Sequence, residues 1–192
     1  MTQNNLLINS LRNFYKQSVN KQRLLKILST DNNISLRSID WFITNYSKKH
    51  NIYYLIYKKS NGESSFDKED DSFRSNINVF HSYKSQLKAY SKKQFDPFCR
   101  RDRILFNIDK DTSVETTVGQ LNFFKWAFSN LIIEYIEKHK DMIEEDMNTC
   151  LKIQKKQYSD KKTNSRKKRQ ELSLSATRGL NKVHVPIQLE FN

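Results

Sequence analysis

Apolar residues recur every three to four positions from Leu6 to His50, and this spacing predicts amphipathic helices. The stretch from Leu6 to Leu28 predicts either one bent helix or two short ones. A further helix is expected to begin at a cap, Ser35 or Ser38, and to run to about His50 with one apolar side. That apolar side should pack on the first helical stretch.

A wide apolar stripe in the second half of the chain predicts a long helix. Thr117 and Gln120 have the spacing of a capping box, and large apolar side chains follow them at helical intervals. The pattern indicates a break near Asn130 and a continuation of the helix toward Lys155.

Two short runs rich in β-branched and aromatic residues predict strands. The first is Ile52 to Tyr57, and Ile104 to Ile108 is expected to pair with it. Residues 60–76 between them are polar and acidic, which is typical of a mobile loop. The predicted fold class is α+β and mostly α-helical, with one compact helical domain over residues 1–151 that includes a small antiparallel sheet.

Charge separates the end of the chain from this domain. The chain carries 34 Lys and Arg against 21 Asp and Glu, a formal net charge of +13, and polyanions are the default partners of such a protein. Eleven of the basic residues but only two carboxylates lie between Lys152 and Lys182. Residues 152–192 are therefore predicted to form a flexible, extended basic arm. The arm ends in a short alternating pattern, and Pro186 restricts such a strand to a sheet edge.

A second basic stretch, SYKSQLKAYSKKQFDPFCRRDRI from Ser82 to Ile104, interleaves cations with aromatic rings. Its apolar residues have helical spacing, and its lysines share a different side of the predicted helix. Asp96 followed by Pro97 predicts the start of a short second helix that presents three arginines. The rings are expected to belong to the core and to position the cations without stacking on bases. They are Tyr83, Tyr90, Phe95 and Phe98.

The candidate nucleic-acid-binding residues are cations of these two stretches, and each phosphate that they neutralise releases a counterion. The first stretch contributes Lys84, Lys88, Lys92, Lys93, Arg100, Arg101 and Arg103. The arm contributes Lys161, Lys162, Arg166, Lys167, Lys168, Arg169, Arg178 and Lys182. A localisation signal and packing on an acidic protein surface are alternative roles for the arm. The candidate partner strand at its end presents Val183, Val185, Ile187 and Leu189.

The sequence gives no sign of catalysis, and the protein is predicted not to be an enzyme. It lacks the motifs of phosphate-binding loops, nucleophile elbows and zinc proteases. Cys99 and Cys150 have no CxxC relation and the histidines are isolated, so no disulfide framework, metal site or cofactor is predicted. The carboxylates around Asp70 favour a solvated loop over a cation site. No apolar run approaches the roughly 20 residues of a membrane span.

Three segments resemble a small protein family of the nucleocytoplasmic large DNA viruses, the giant viruses. They are ISLRSIDWFITNYSKKHNIYY, SYKSQLKAYSKKQFDPFCRRDRI and TTVGQLNFFKWAFSN, and the C-terminal KKRQELSLSATRGLNK is similar as well. The resemblance supplies no functional residues. It implies a viral protein made in the host cytoplasm, near a large DNA genome and an icosahedral particle.

The favoured hypothesis is a non-enzymatic basic viral protein that binds nucleic acid, with DNA preferred over RNA, through phosphate contacts. A role in genome packaging or in the virion core would place it in the viral factory or the virion. The alternative is a minor capsid or scaffold-associated protein whose arm and terminal strand thread between other subunits. A third hypothesis is a winged-helix transcription factor built on RLLKILS and ISLRSIDWFITNY.

Overall fold

A computed structural model describes residues 3–29, 33–59, 63–107 and 113–160 of the chain. Within these ranges it confirms an α+β fold that is mostly α-helical. The helices are α1 (Gln3–Tyr15), α2 (Ser18–Leu28), α3 (Leu36–Trp41), α4 (Ser47–Lys49), α5 (Val79–Gln94), α6 (Val118–Ser129), α7 (Ile132–Lys138) and α8 (Lys140–Asp160). A π-helical turn, Phe42–Tyr46, joins α3 to α4.

The strands form two separate antiparallel sheets. They are β1 (Tyr53–Lys59), β2 (Ser64–Ser65), β3 (Ser72–Asn78), β4 (Ile104–Asn107) and β5 (Ser113–Thr116). The first sheet has the order β2-β1-β3, and β4 pairs with β5 in the second. The strand predicted from Ile104 to Ile108 exists, but its predicted pairing with the Ile52 to Tyr57 strand is wrong.

The acidic loop predicted over residues 60–76 is also shorter than expected. Strand β3 begins at Ser72 and pairs with β1 over seven residues. Its side chains are polar at most positions, so its sequence resembles that of a loop. Ile77 is nevertheless 8% exposed and packs in the core. Cross-strand pairing with β1 therefore overrides the weak strand preference of a polar segment.

Helix α6 lies at the centre of the fold. Phe124, Ala127 and Phe128 are at most 1% exposed, and Trp126 on another side is 6% exposed. A helix that is buried nearly all round is a core helix. The Thr117 hydroxyl caps it by accepting the Gln120 backbone N–H at 3.1 Å. Helices α1, α5 and α7 pack against it.

The N-terminal helices join the core through a long-range hydrogen bond. The chain breaks between α1 and α2, which confirms two short helices. The buried Tyr15 hydroxyl donates to the Leu121 carbonyl at 2.8 Å. Ser35, one of the two predicted caps, accepts the Ser38 N–H at 3.0 Å and begins α3. The predicted break near Asn130 is confirmed as well, because α6 ends at Ser129.

Helix α8 carries the described chain past the predicted boundary between domain and arm. It ends at Asp160, so residues 152–160 are helical instead of extended. Lys152 and Ile153 on this part of the helix are exposed. Residues 161–192, with most of the predicted arm and its terminal strand, lie outside the described residues.

Candidate nucleic-acid interface

Two segments of the chain contain no carboxylate, and the fold brings them together. Neither residues 41–59 nor residues 72–95 include an Asp or Glu. Strand β1 of the first segment pairs with β3 of the second along its whole length. Helix α5 of the second segment also packs against α4 and the π-helical turn. We refer to these two segments as the acid-free region.

Nine cations belong to the acid-free region, and three of them are already engaged. Lys49 pairs with Asp146 and Lys59 pairs with Glu69. Lys58 is half-buried and donates to the Asn130 side-chain oxygen at 3.3 Å. The other six are exposed and form no ion pair with any carboxylate in the described part of the chain. They are Lys48, Arg74, Lys84, Lys88, Lys92 and Lys93.

Helix α5 presents Lys84 and Lys88 one turn apart, as the spacing of the basic stretch predicts. Its first turn is capped by the Asn78 side chain, which accepts the His81 N–H at 3.0 Å. The helix is interrupted at Ser91, where φ is 57° and ψ is 170°. Lys92 follows this kink, so it does not continue the side of the helix that carries Lys84 and Lys88.

One aromatic ring holds two of the exposed lysines. The Lys48 Nζ lies 5.6 Å and the Lys84 Nζ 5.8 Å from the centroid of the half-buried Phe80 ring. Cation–π attraction of this kind contributes about 0.5–1 kcal/mol at exposed sites. Phe80 therefore brings a lysine of α4 next to a lysine of α5 before any ligand binds.

The segment after α5 is fixed to the first turn of α6. The Asp96 N–H donates to the Gly119 carbonyl at 3.2 Å. The Gln120 side chain donates to the Pro97 carbonyl, and the Asn122 side chain donates to the Gln94 carbonyl, both at 2.9 Å. These bonds fix the position of residues 94–97. They thereby fix the positions of Lys92 and Lys93, which precede this segment, and of the arginines that follow it.

The short helix predicted at Asp96 and Pro97 does not form. Asp96 does accept the Phe98 N–H at 3.2 Å, as a cap would, but the chain then continues as turns. The Asp96 carboxylate instead binds Arg100 through two hydrogen bonds of 2.9 and 3.0 Å. These bonds raise the pKa of Arg100. The buried Asp96 carboxylate thus occupies the Arg100 guanidinium, which the sequence predicts to bind phosphate.

The other two predicted arginines of this segment are exposed. Arg103 pairs with the exposed Glu115 of β5 at 3.2 Å. Such a surface pair is worth at most about 1 kcal/mol, so a phosphate can compete for it. Arg101 has no ion-pair partner among the residues that the structure describes. Among the three arginines, Arg101 is therefore available to bind phosphate, Arg103 is held only by a weak surface ion pair, and Arg100 is already bound by Asp96.

The aromatic residues of the basic stretch belong to the core, as predicted. Phe95 and Phe98 are 1% exposed, and Tyr83 and Tyr90 are half-buried against the core. Phe95 lies 5.3 Å from the Phe123 ring and 5.5 Å from the Trp126 ring. The arm residues Lys161 to Lys182 and the strand residues Val183 to Leu189 lie outside the described ranges, so their predicted contacts stay predictions.

A cleft of about 540 Å³ lies between the α1–α2 corner and the first sheet. Glu63, Asp67 and Glu69 line it together with Arg23 and several serines. No group of three metal-ligating side chains occurs among the described residues. Cys99 is half-buried, and burial raises the pKa of its thiol. None of the described helices is both long enough and apolar enough to span a membrane.

Lys48 and Arg74 are cations that the helical pattern around Ser82 to Ile104 does not reveal. They lie on α4 and on β3, outside that stretch. The signal that could have identified them is the lack of any carboxylate in residues 41–59 and 72–95. That signal becomes informative only when the two segments are known to pair.

Comparison with known proteins gives two matches. Residues 1–164 match a family of unknown function, DUF7197. A protein described as uncharacterized protein L507, from Acanthamoeba polyphaga mimivirus, is 43% identical over 157 residues. The match covers 79% of this chain and 54% of that relative, so the chain spans about half of the relative's length. No solved structure matches the chain significantly.

Proposed function

The chain belongs to DUF7197, a family of unknown function, and is similar to a giant-virus protein, and we propose that it is a non-enzymatic nucleic-acid-binding protein. Its ligand is DNA in preference to RNA, and its contacts are mainly to phosphates. Genome packaging or the virion core would be the setting, in the host cytoplasm or in the particle.

The observation that carries this proposal is the acid-free region. Six exposed cations without a described carboxylate partner lie in two segments that pair through β1 and β3. A surface of one sign attracts a polyanion, and release of condensed counterions then favours binding. The basic residues from Lys161 to Lys182 add to this charge in the sequence.

The geometry favours contacts to phosphate over readout of bases. Lysines dominate the surface, and a lysine acts as a point charge without the paired hydrogen bonds by which arginine recognises guanine. The aromatic rings of the basic stretch are packed in the core, so they position the surface without contacting bases. The proposal therefore expects binding with little preference for duplex sequence.

A salt titration of duplex binding tests the proposal. Log affinity should fall linearly with log salt, with a slope of about −0.9 for each phosphate neutralised. Replacing Lys84, Lys88, Lys92 and Lys93 by glutamine in the full chain should reduce the slope by up to about 3.6 and weaken binding. Glutamine is polar and only slightly shorter than lysine, and it removes the charge.

A matched variant separates local contacts from net charge. Arg12, Lys16, Lys68 and Lys138 are exposed and lie outside the acid-free region. Their joint replacement by glutamine removes the same charge, and it should change the slope much less. Equal effects of the two variants, or no binding by the unmodified protein at about 50 mM salt, would contradict the proposal.

A structural role in the particle is the second candidate, and it is favoured by the outer edge of β3, which pairs with no second strand among the described residues. The Val79 N–H donates to the Ile52 carbonyl, so by the antiparallel alternation the backbone groups of Arg74 and Asn76 point away from β1. An unpaired edge can accept a strand from another subunit. Loss of particle assembly on deletion of residues 184–192, with nucleic-acid affinity intact, would support this candidate.

The winged-helix hypothesis makes a different prediction for the same binding assay. It requires a strong preference for one duplex sequence, which selection from a random duplex pool would reveal. The segment that would supply its recognition helix, α3 with the π-helical turn, buries Ile39, Trp41 and Phe42 in the core. Phosphate binding by the acid-free region does not depend on exposure of that segment.

A further inference from the structure

The outward face of the first sheet carries a row of two tyrosines and a leucine that lie outside the hydrophobic core. Along β1, Tyr54 and Ile56 point inward, where the Tyr54 hydroxyl donates to the Asn130 carbonyl at 2.8 Å. Side chains alternate along a strand, so Tyr53, Leu55 and Tyr57 lie on the opposite face. The Tyr53 side chain is 74% exposed, and all three residues lie outside the hydrophobic core.

Polar and basic side chains of β3 lie beside this row. Tyr53 is opposite Asn78, Leu55 is opposite Asn76, and Tyr57 is opposite Arg74. The backbone bond from Val79 to Ile52 fixes the alternation of the ladder and makes these three the non-hydrogen-bonded pairs. Side chains approach each other most closely in such pairs. The exposed Tyr53 ring and the half-buried Tyr57 ring are thus bordered by amides and by one guanidinium.

The two ends of this face differ in charge. Near Tyr53, Asn78 leads directly into α5, where Phe80 holds the ammonium groups of Lys48 and Lys84. At the other end, Tyr57 lines the cleft that contains acidic residues, among them Glu69. Because Tyr57 is also opposite the Arg74 guanidinium, this end is mixed in charge, and an anionic ligand is attracted more strongly to the Tyr53 end.

We propose that the outward face of the first sheet binds unpaired nucleotides of single-stranded nucleic acid, with a base stacked on Tyr53 and the adjoining phosphates near Lys48 and Lys84. Bases of a duplex are stacked on one another and cannot offer a face to Tyr53, whereas unpaired bases can. This inference rests on the proposed function. It adds a class of ligand, single-stranded nucleic acid, that charge alone would not distinguish from a duplex.

The test compares single-stranded and duplex ligands on the full chain. Fluorescence anisotropy is measured with a labelled oligothymidine and with a labelled duplex. Tyr53→Ala should weaken oligothymidine binding by about five- to 150-fold, the usual effect of removing one stacked base contact, and should leave duplex binding unchanged. Tyr53→Phe keeps the ring and should bind oligothymidine like the unmodified protein.

Phe73 provides the matched control. It is an exposed aromatic residue of the same sheet, 57% exposed, but it alternates onto the opposite face. Phe73→Ala should change neither affinity. Thermal melting of each variant verifies that the fold is intact, which is expected because both rings are mainly in solvent.

The outcomes separate this inference from the function on which it rests. Unchanged oligothymidine affinity in Tyr53→Ala, or equal losses of affinity for both ligands, overturns the stacking site. Salt-dependent duplex binding by the unmodified protein would still support the proposed function in that case. Failure of the unmodified protein to bind either ligand overturns both. Selective loss of oligothymidine binding, with Phe73→Ala unaffected, supports the site.

Discussion

Gly119→Ala should destabilise the protein although alanine is the better helix former. Gly119 lies in the first turn of α6, against the segment that connects α5 to the arginines. A Cβ at this position would lie 3.0 Å from the Lys93 carbonyl oxygen and 3.3 Å from the Phe95 backbone nitrogen. Both are backbone atoms, which cannot rotate away as the end of a side chain can.

Two opposing effects determine the size of the change. Alanine gains up to about 1 kcal/mol over glycine in a helix interior, and less in a first turn. Overpacking usually costs about 1–3 kcal/mol. The opposed segment cannot withdraw freely, because hydrogen bonds to Gly119, Gln120 and Asn122 hold it. The expected net loss is about 1–2 kcal/mol, or a melting temperature lower by about 2–8 °C for a chain of this size.

Urea unfolding followed by tryptophan fluorescence measures this loss, since Trp126 is buried in the same helix. Ser85→Ala on the exposed side of α5 provides a reference for helix propensity, and it should be neutral or slightly stabilising. The same Gly119 variant should also bind nucleic acid more weakly, because Lys92 and Lys93 are displaced without loss of charge. Stability equal to or above that of the unmodified protein would refute the packing argument.

Two further predictions concern the buried Asp96 carboxylate and the half-buried Asp146 carboxylate. Asp96→Ala should cost about 2 kcal/mol in urea unfolding, because it leaves Arg100 unpaired and removes the acceptor of the Phe98 N–H, whereas Asp96→Asn should cost less. Burial alone would raise the pKa of Asp146, but hydrogen bonds from Lys49 and Trp41 lower it. Its contribution is therefore present above the unfolded pKa of about 4 and is lost as the pH falls through the folded value, so the urea midpoint should drop less in acid for Asp146→Asn.

Helices were predictable from the sequence because their signal is local. The break between α1 and α2, the Ser35 cap and the break after Ser129 follow from periodicity and capping within a few residues. The resemblance to a giant-virus protein family is confirmed too, because it rests on long segments of sequence. Local patterns thus accounted for the helical part of the fold and for its family.

Strand pairing was harder to predict because it depends on distant residues. The hydrophobic run from Ile104 has no feature in its sequence that specifies its partner strand. The sequence alone therefore does not decide between pairing with β1 and pairing with β5. The polar sequence of β3 predicts a loop, and the segment is a strand because it pairs with β1. The kink at Ser91 has no local signal either, because serine rarely adopts a positive φ.

The candidate interface was predicted in part. The exposed lysines of α5 follow from the helical spacing, and the role of the rings as core follows from the apolar side of the same helix. Arg100 differs from its prediction because Asp96, read as a helix cap, binds the guanidinium instead. Arg74 joins the interface through the pairing of β1 with β3, and Lys48 joins it through the packing of α4 against α5, neither of which a local pattern shows.

Lysine footprinting tests most directly whether the acid-free region contacts nucleic acid. The full chain is acetylated with and without duplex DNA, and the modified lysines are quantified by mass spectrometry. The account predicts protection of Lys48, Lys84, Lys88 and Lys93, with Lys16 and Lys138 equally reactive in both samples. Protection confined to lysines beyond Asp160, or equal protection of Lys16 and Lys138, would contradict it.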